Sequence, residues 1–302
     1  MSRRQIYLLT ATILFSLPKG AAQELEPRAY SVSPAGVNFV VFGFARSAGS
    51  LNFDPSLPVE DASAVLYGSF SAYARALDFF GRSANVAVTL PYLWGNLEGK
   101  VNGNAEQAHR SGLSNSAVRF AVNLYGAPAM DLRKFARFRE KTIIGASIAV
   151  VVPTGQYDSA RFVNIGTNRW AAKPEIGLSQ RFGRWDFDLY MGIWVFSAND
   201  NYRGMIRKQD PIASTQTHIS YTLRPRLWIA FDANFYAGGR TSVDGIPGND
   251  LQRNSRLGGT ISIPIMKRQS LKVSGSSGAV TSIGADFISI GVAYQYLWGA
   301  GL

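Results

Sequence analysis

The chain of 302 residues contains no cysteine and only two histidines, His109 and His218. Those scarcities exclude a disulfide framework, a zinc ribbon, a thiol nucleophile and an ordinary histidine-rich metal centre. Charged residues make up 17% of the chain, too few for a coiled coil or a disordered protein, and its 30 glycines are too many for a helical bundle. Apolar runs are short. Beyond the first 22 residues the longest is Ile143–Val152, well under the roughly 20 residues a membrane-spanning helix needs. Phosphate loops and dinucleotide fingerprints are absent as well. No cofactor and no metal are expected.

What is present begins with an export signal. Arg3 and Arg4 supply a positive start, Ile6 to Leu17 an apolar stretch, and Gly20-Ala21-Ala22 small residues for cleavage, so residues 1–22 read as a signal peptide and 23–302 as the mature domain. Export without cysteine fits the envelope of a Gram-negative bacterium. Removing Arg3, Arg4 and Lys19 takes the formal charge from +11 to +8, a balance suited to an anionic lipid surface.

The dominant pattern is alternation with a period of two over segments of about ten residues. In the last of them Ile288, Ile290, Val292, Tyr294, Tyr296 and Trp298 share one face, while Ser289, Gly291, Ala293 and Gln295 share the other. About twelve such segments are expected, near 37–47, 61–78, 83–97, 113–127, 141–152, 170–182, 185–197, 210–223, 226–236, 254–264, 270–278 and 287–298. The first two are apolar on both faces. Connections at one end, near 48–60, 98–112, 153–169, 198–209, 237–253 and 279–286, are long and polar; those at the other end are mostly tight turns. That asymmetry predicts an all-β, antiparallel, up-and-down transmembrane barrel with long extracellular loops and short periplasmic turns. One connection on the short side, residues 128–140, is expected to hold a short basic helix.

Side-chain placement agrees with a membrane setting. Trp94, Trp170 and Trp194 fall at strand ends on the long-loop side and Trp185, Trp228 and Trp298 on the other, two girdles of the kind found at lipid headgroups. Basic residues gather at the short turns, among them Arg82, Arg184, Arg224, Arg226, Lys267 and Arg268. There they would meet anionic lipid. They form no groove-entering helix or stacking platform, so no nucleic-acid partner is expected.

The stretches LEPRAYSVSPAGVNF (25–39), FGRSANVAVTLPYLWG (80–95), TNRWAAKPEIGLSQRFGRW (167–185), GGRTSVDG (238–245) and LQRNSR (251–256) resemble a bacterial outer-membrane family named for the meta-pathway of phenol degradation, whose members are often called transporters. The resemblance covers about residues 25–298. It implies an outer-membrane barrel and passage of aromatic or other apolar compounds, and it brings no catalytic or binding residues. One departure is at the end, where Gly-Ala-Gly-Leu follows Trp298 in place of a terminal aromatic residue.

One enzyme possibility carries specific residues. His218-Ile219-Ser220 has the H-x-S spacing of twelve-stranded outer-membrane phospholipases, and Asp232 or Asn234 on the next strand could orient the imidazole. Alternation turns His218 and Ser220 inward, whereas a phospholipid lies outside the barrel, so an enzyme is not the expected reading. The inward set includes Arg119, Asn123, Lys173, Glu175, Asp186, Asp188, His218, Asp232, Asn234, Arg256 and Lys272. Of these, Arg119, Lys173, Glu175, His218, Asp232, Arg256 and Lys272 are the candidate lumen-lining residues. They can line a path that selects solutes, or pair and plug the bore. The leading expectation is a monomeric outer-membrane channel for small apolar or aromatic solutes, with membrane lipid and solute as its partners. The alternative is a closed structural or binding barrel.

Overall fold

The computed structural model describes residues 25–53, 59–161 and 163–300, so the signal peptide lies outside the described residues. The remainder is a closed barrel of twelve antiparallel strands. Its strands are β1 (Val37–Asn52), β2 (Val59–Phe79), β3 (Arg82–Val101), β4 (Asn104–Leu113) continued by β5 (Ser116–Tyr125), β6 (Thr142–Val152), β7 (Ala171–Phe182), β8 (Trp185–Phe196), β11 (Ile212–Arg224), β12 (Leu227–Gly238), β15 (Gln252–Met266), β16 (Gln269–Val280) and β17 (Gly284–Gly299). Each pairs with its neighbour in order, and β1 closes the ring on β17 from Val37↔Gly299 to Asn52↔Gly284. Closure leaves the ring itself without a free edge, the condition for a sheet that crosses lipid, while β4 at the long-loop end pairs with β3 alone.

All twelve expected segments are strands. The long-loop end departs from the expectation, because three connections carry strand structure of their own. Residues 98–112 form the top of the β3–β4 hairpin, paired as far as Val101↔Asn104. Asn102 and Gly103 both take positive φ there, 53° and 78°, as a two-residue hairpin turn demands. The 198–209 and 237–253 connections each hold a short hairpin, β9 (Asn199–Tyr202) with β10 (Met205–Gln209) and β13 (Thr241–Val243) with β14 (Ile246–Pro247). The two hairpins join in a small sheet of order β14-β13-β10-β9. At the other end the basic helix of 128–140 shrinks to one turn, α1 (Leu132–Phe135), capped by the Asp131 side chain, which accepts from the Lys134 N–H. Pro128 and the run of basic side chains leave only Phe135 to bury in that turn.

The tryptophan girdles require a correction. Trp170 and Trp185 are exposed on the outer surface, but Trp194 and Trp228 are buried in the interior. The strand period decides this. Trp228 shares its face with Ala230, Asp232 and Asn234, and Trp194 with Tyr190 and Gly192, and that face points inward. Proximity to a strand end was the weaker criterion.

Candidate functional site in the barrel interior

The interior wall has two unlike arcs, one of four strands and one of eight. On β17, β1, β2 and β3 the inward residues are mostly apolar, including Phe39, Val41, Leu66, Phe70, Leu93 and Phe287, with Ser47, Thr89 and Gln295 the polar ones among them. This explains the segments that read as apolar on both faces: Phe42 and Phe44 meet the outside while Phe39 and Val41 face in. On β5 to β8, β11, β12, β15 and β16 the inward residues carry charge or hydrogen-bonding groups. Lys173, Glu175, His218, Asp232 and Arg256 are all buried there, and Arg119 and Lys272 are partly buried on the same arc.

Their pairing runs along the wall. Lys173 Nζ meets Glu175 Oε2 at 2.9 Å, two residues away on one strand, and Arg119 approaches Glu175 at 3.9 Å. Asp232 accepts at both oxygens, with His218 Nδ1 2.7 Å away and the Thr260 hydroxyl at 2.7 Å. Arg256 donates to the Ser276 hydroxyl and to the Phe287 carbonyl at 2.6 Å. The ladder between β16 and β17 ends at Ser276↔Ser289, so Arg256 satisfies a carbonyl on the strand beyond it. Lys272 and Arg28 both lie over the Trp228 ring, at 5.4 and 4.6 Å, and Lys173 lies over Trp194 at 5.5 Å. The inward tryptophans are therefore seats for cations.

What crosses the bore is the segment that precedes the first strand. Residues 25–36 enter from the short-turn end and attach to the charged arc at nearly every step. The Glu26 N–H donates to Gln216 Oε1 at 3.2 Å, the Arg28 N–H to Asp188 at 3.1 Å and the Ala29 N–H to the Tyr190 hydroxyl at 3.0 Å. The Arg28 guanidinium reaches Asp186 at 2.6 Å and Thr222 at 2.8 Å. Tyr30 donates to Glu175 at 3.1 Å, shares a hydrogen bond with Ser147, and accepts from Asn123 at its carbonyl. Lower down the Val32 N–H donates to Glu140, the Ala35 N–H to the Met130 carbonyl and the Gly36 N–H to the Ala76 carbonyl.

Two glycines make the seat for Tyr30. Gly145 and Gly177 lie opposite each other on β6 and β7. A Cβ at either position would come within 2.1 or 2.2 Å of the Tyr30 ring, so only the bare backbone lets the ring lie against the wall. Arg28 and Tyr30 fell within the family resemblance, but their place in the bore was not legible. The stretch has no period, and its partners are scattered over six strands.

The upper mouth is narrowed from above. Val163, in the 153–169 loop, packs with the inward residues Leu66, Leu97, Ala285 and Phe287 at the top of the apolar arc. Its carbonyl accepts from Arg110 Nε at 3.0 Å. Leu25, at the tip of the inserted segment, lines a cavity of about 160 Å3 that reaches the outward-facing Phe44, Ile290 and Val292 on β1 and β17. Leu66, Phe70, Leu93 and Phe287 line one side of it, and Asp232, Thr260, Arg256 and Lys272 the other.

The hydrolase constellation is incomplete in this geometry. His218 and Asp232 form the orienting pair, but His218 Nε2 and Ser220 Oγ each lack a hydrogen-bond partner, and both residues are fully buried. A serine nucleophile needs its proton held by the imidazole. Among the described residues no group of three or more potential ligands is placed to hold a metal ion.

Residues 56–298 match the sequence model of a family described as "Putative MetA-pathway of phenol degradation". Among solved structures the chain is similar to an outer membrane channel from Pseudomonas putida F1, with 18% identity and a TM-score of 0.76 over 91% of this chain and 100% of that one. It is more distantly similar to the NanC porin, at 6% identity and a TM-score of 0.49 over 85% of this chain and 98% of that one. The translocator domain of the autotransporter NalP from Neisseria meningitidis gives 9% and 0.49 over 88% and 89%. No curated protein matches the sequence.

Proposed function

The chain belongs to the phenol-degradation family that its residues 56–298 match, and on that footing we propose that it is a monomeric outer-membrane channel for small apolar or aromatic solutes. The observation that carries the reading is the divided bore. A water-filled porin lines its lumen with polar groups; here four of the twelve strands present a mostly apolar interior wall, which borders a cavity large enough for a single ring. The likeness to the Pseudomonas channel supports the fold on which the reading rests.

In this mechanism solute enters at the long-loop end, passes Val163 and lodges against the apolar arc above Leu25. Onward passage requires residues 25–36 to shift or leave. Apart from Ala35 and Gly36 at its base, its hydrogen bonds and ion pairs go to the charged arc and Glu140, with Ala29, Tyr30 and Val32 packed on Met130, Phe135 and Ile143, and none of them is a rung of the barrel ladder, so the segment can move without unzipping a strand. Arg119, Lys173, Glu175, His218, Asp232, Arg256 and Lys272 set the polarity of the path. Residues 1–22 direct export and the basic short turns face the periplasmic leaflet. No catalytic step is assigned.

A second reading, a closed structural barrel, is favoured by the number of bonds holding the inserted segment. Conductance of the refolded barrel in a planar bilayer separates the two. Discrete openings partly blocked by phenolic compounds are expected for the channel. A folded barrel, shown by heat-modifiable migration, that stays silent in both wild-type form and after removal of residues 25–36 would overturn it.

A further inference from the structure

The short-turn mouth holds a second cavity, of about 410 Å3, bordered by Arg28 of the inserted segment, by residues 135–140 and by the turns that join β7 to β8 and β11 to β12. Six arginines line it, Arg28, Arg139, Arg181, Arg184, Arg224 and Arg226, with one carboxylate, Glu140. A second carboxylate, Asp186, holds two of the six from behind. Both acids are fully engaged. Glu140 accepts from Arg181 at 2.8 Å and from the Val32 N–H at 3.1 Å, and Asp186 accepts from Arg28 at 2.6 Å and from Arg181 at 2.5 Å. Six cations less two anions leave four positive charges around the cavity.

Those four differ in their attachments. Arg226 donates to the carbonyls of Met266, Lys267 and Gln269, which tie its turn to the next one but bring no negative charge. Arg139, Arg184 and Arg224 are exposed, and none of them pairs with a carboxylate among the described residues. Two shielded donors also lack an acceptor, Nε of Arg28, whose residue is 6% exposed, and Nε of Arg226. A concave site with low-dielectric walls focuses such a field and concentrates ions of opposite sign.

The register brings the cations together. The Thr222 N–H donates to the Arg184 carbonyl at 2.8 Å, and the Thr222 hydroxyl accepts from the Arg28 guanidinium at 2.8 Å. Arg224 is the next inward position on β11, about 7 Å along the strand, a gap that two arginine side chains can close. Opposite Thr222 stands Trp228, with the Arg28 guanidinium 4.6 Å from its ring centre. Thr222 and Trp228 face inward and Arg28 lies in the bore, so the cavity belongs to the mouth and not to the lipid-facing wall. Its volume is that of an ordinary small-molecule site, about 300–1,000 Å3. Guanidinium groups match carboxylate and phosphate oxygens in pairs, and rings of arginine are how pores select anions.

We propose that this cavity is an anion-binding site at the exit of the bore, which takes a carboxylate or phosphate group of a dissolved solute between Arg184 and Arg224, with Arg28 behind them. The route by which the anion arrives rests on the channel reading above. The site adds to that reading a preference for solutes that carry such a group.

The test is titration of inorganic phosphate into the full-length refolded barrel in an uncharged detergent, read by phosphorus NMR line broadening at constant ionic strength. Wild type is expected to bind phosphate. Arg184→Gln combined with Arg224→Gln is expected to weaken binding about fivefold to tenfold, the worth of two exposed charge contacts. Arg75→Gln combined with Arg82→Gln removes the same charge from β2 and β3, outside the cavity lining, and should leave binding unchanged. No binding to wild type overturns the site, and so does equal weakening by the two pairs. Phosphatidylglycerol in mixed micelles offers the same group from a lipid. If its binding depends on Arg184 and Arg224 while phosphate is inert, the occupant is a headgroup and the proposal fails. Reversal potential in a KCl gradient across a planar bilayer then separates site from channel. Chloride should be preferred by wild type, and the Arg184→Gln, Arg224→Gln barrel should lose the preference. A conducting barrel with no preference sinks the exit site and leaves the channel. Phosphate bound to a barrel that never conducts sinks the channel and leaves the site.

Discussion

The apolar and the charged arcs of the interior wall are made by the same rule of alternation yet behave as different materials. The charged arc is occupied. The buried charged groups of β7 and β8, with Tyr190 and Gln216, hold one another or part of residues 25–36. The apolar arc packs mainly on itself and on Val163, and has no hydrogen bond to the inserted segment above Gly36 among the described residues. A polar wall in a narrow bore must find partners, because unpaired buried charges cost several kcal/mol each. An apolar wall has no such demand and can border open space. The division therefore explains why the hydrogen bonds of the segment run along the charged arc, and why the cavity opens where the two arcs meet.

The comparison can be broken at several points, and removing the segment should have the largest effect. A barrel lacking residues 25–36 should conduct several-fold more than wild type in a planar bilayer, with its folded migration unchanged. An unchanged conductance would mean that another element closes the bore. Next is Asp186→Asn. It removes the charge that Arg28 and Arg181 share, both within 2.6 Å of this carboxylate, and leaves Arg28 with Thr222 and Arg181 with Glu140; breaking a buried pair costs about 3–5 kcal/mol. The expected outcome is fast hydrogen exchange across 28–32 and bursts of the larger conductance, with the strands still protected.

Gly145→Ala or Gly177→Ala should act in the same direction but less strongly, since overpacking costs about 1–3 kcal/mol. The added methyl pushes Tyr30 off its seat, and the Tyr30 ring should show weaker shielding by Tyr190, now 5.2 Å away. Phe70→Ala sharpens the contrast from the other arc. It should leave the segment and the basal conductance alone while shifting block toward larger rings. An effect on the segment instead would show that the arcs are coupled.

The smallest effect concerns pH at the short-turn end. Burial pushes the Glu140 carboxyl above its ordinary 4.5, against the pull of Arg181 and the Val32 N–H. A raised carboxyl favours the protonated form when folded, so stability from this corner is full below the ordinary value and is lost as pH rises through the raised one. The urea midpoint should therefore fall slightly over that window, and Glu140→Gln should flatten the fall. A midpoint that rises there would show that Arg181 dominates.

How much was legible follows from the range of each interaction. The inward facing of Lys173, Glu175, His218, Asp232 and Arg256 needed only alternation within one strand. The Asn102-Gly103 turn was also readable, as a two-residue hairpin signal, though residues 98–112 read as a loop because their composition is polar. The inward turn of Trp228 was available from its own face-mates and was overridden by its place at a strand end. The pairing of Arg28 with Asp186 spans 158 residues, and nothing local marks it.

The sequence by itself determined the strand count, the membrane-compatible facing and the two kinds of inward surface, because a period of two is set by the backbone of each strand alone. Only the tertiary structure decided that the two surfaces face each other across one bore, that residues 25–36 enter it, and that a ring-sized cavity remains beside Lys272. Those outcomes depend on β1 meeting β17 at the far end of the chain. Closure of the ring is what gives an inward face an inside.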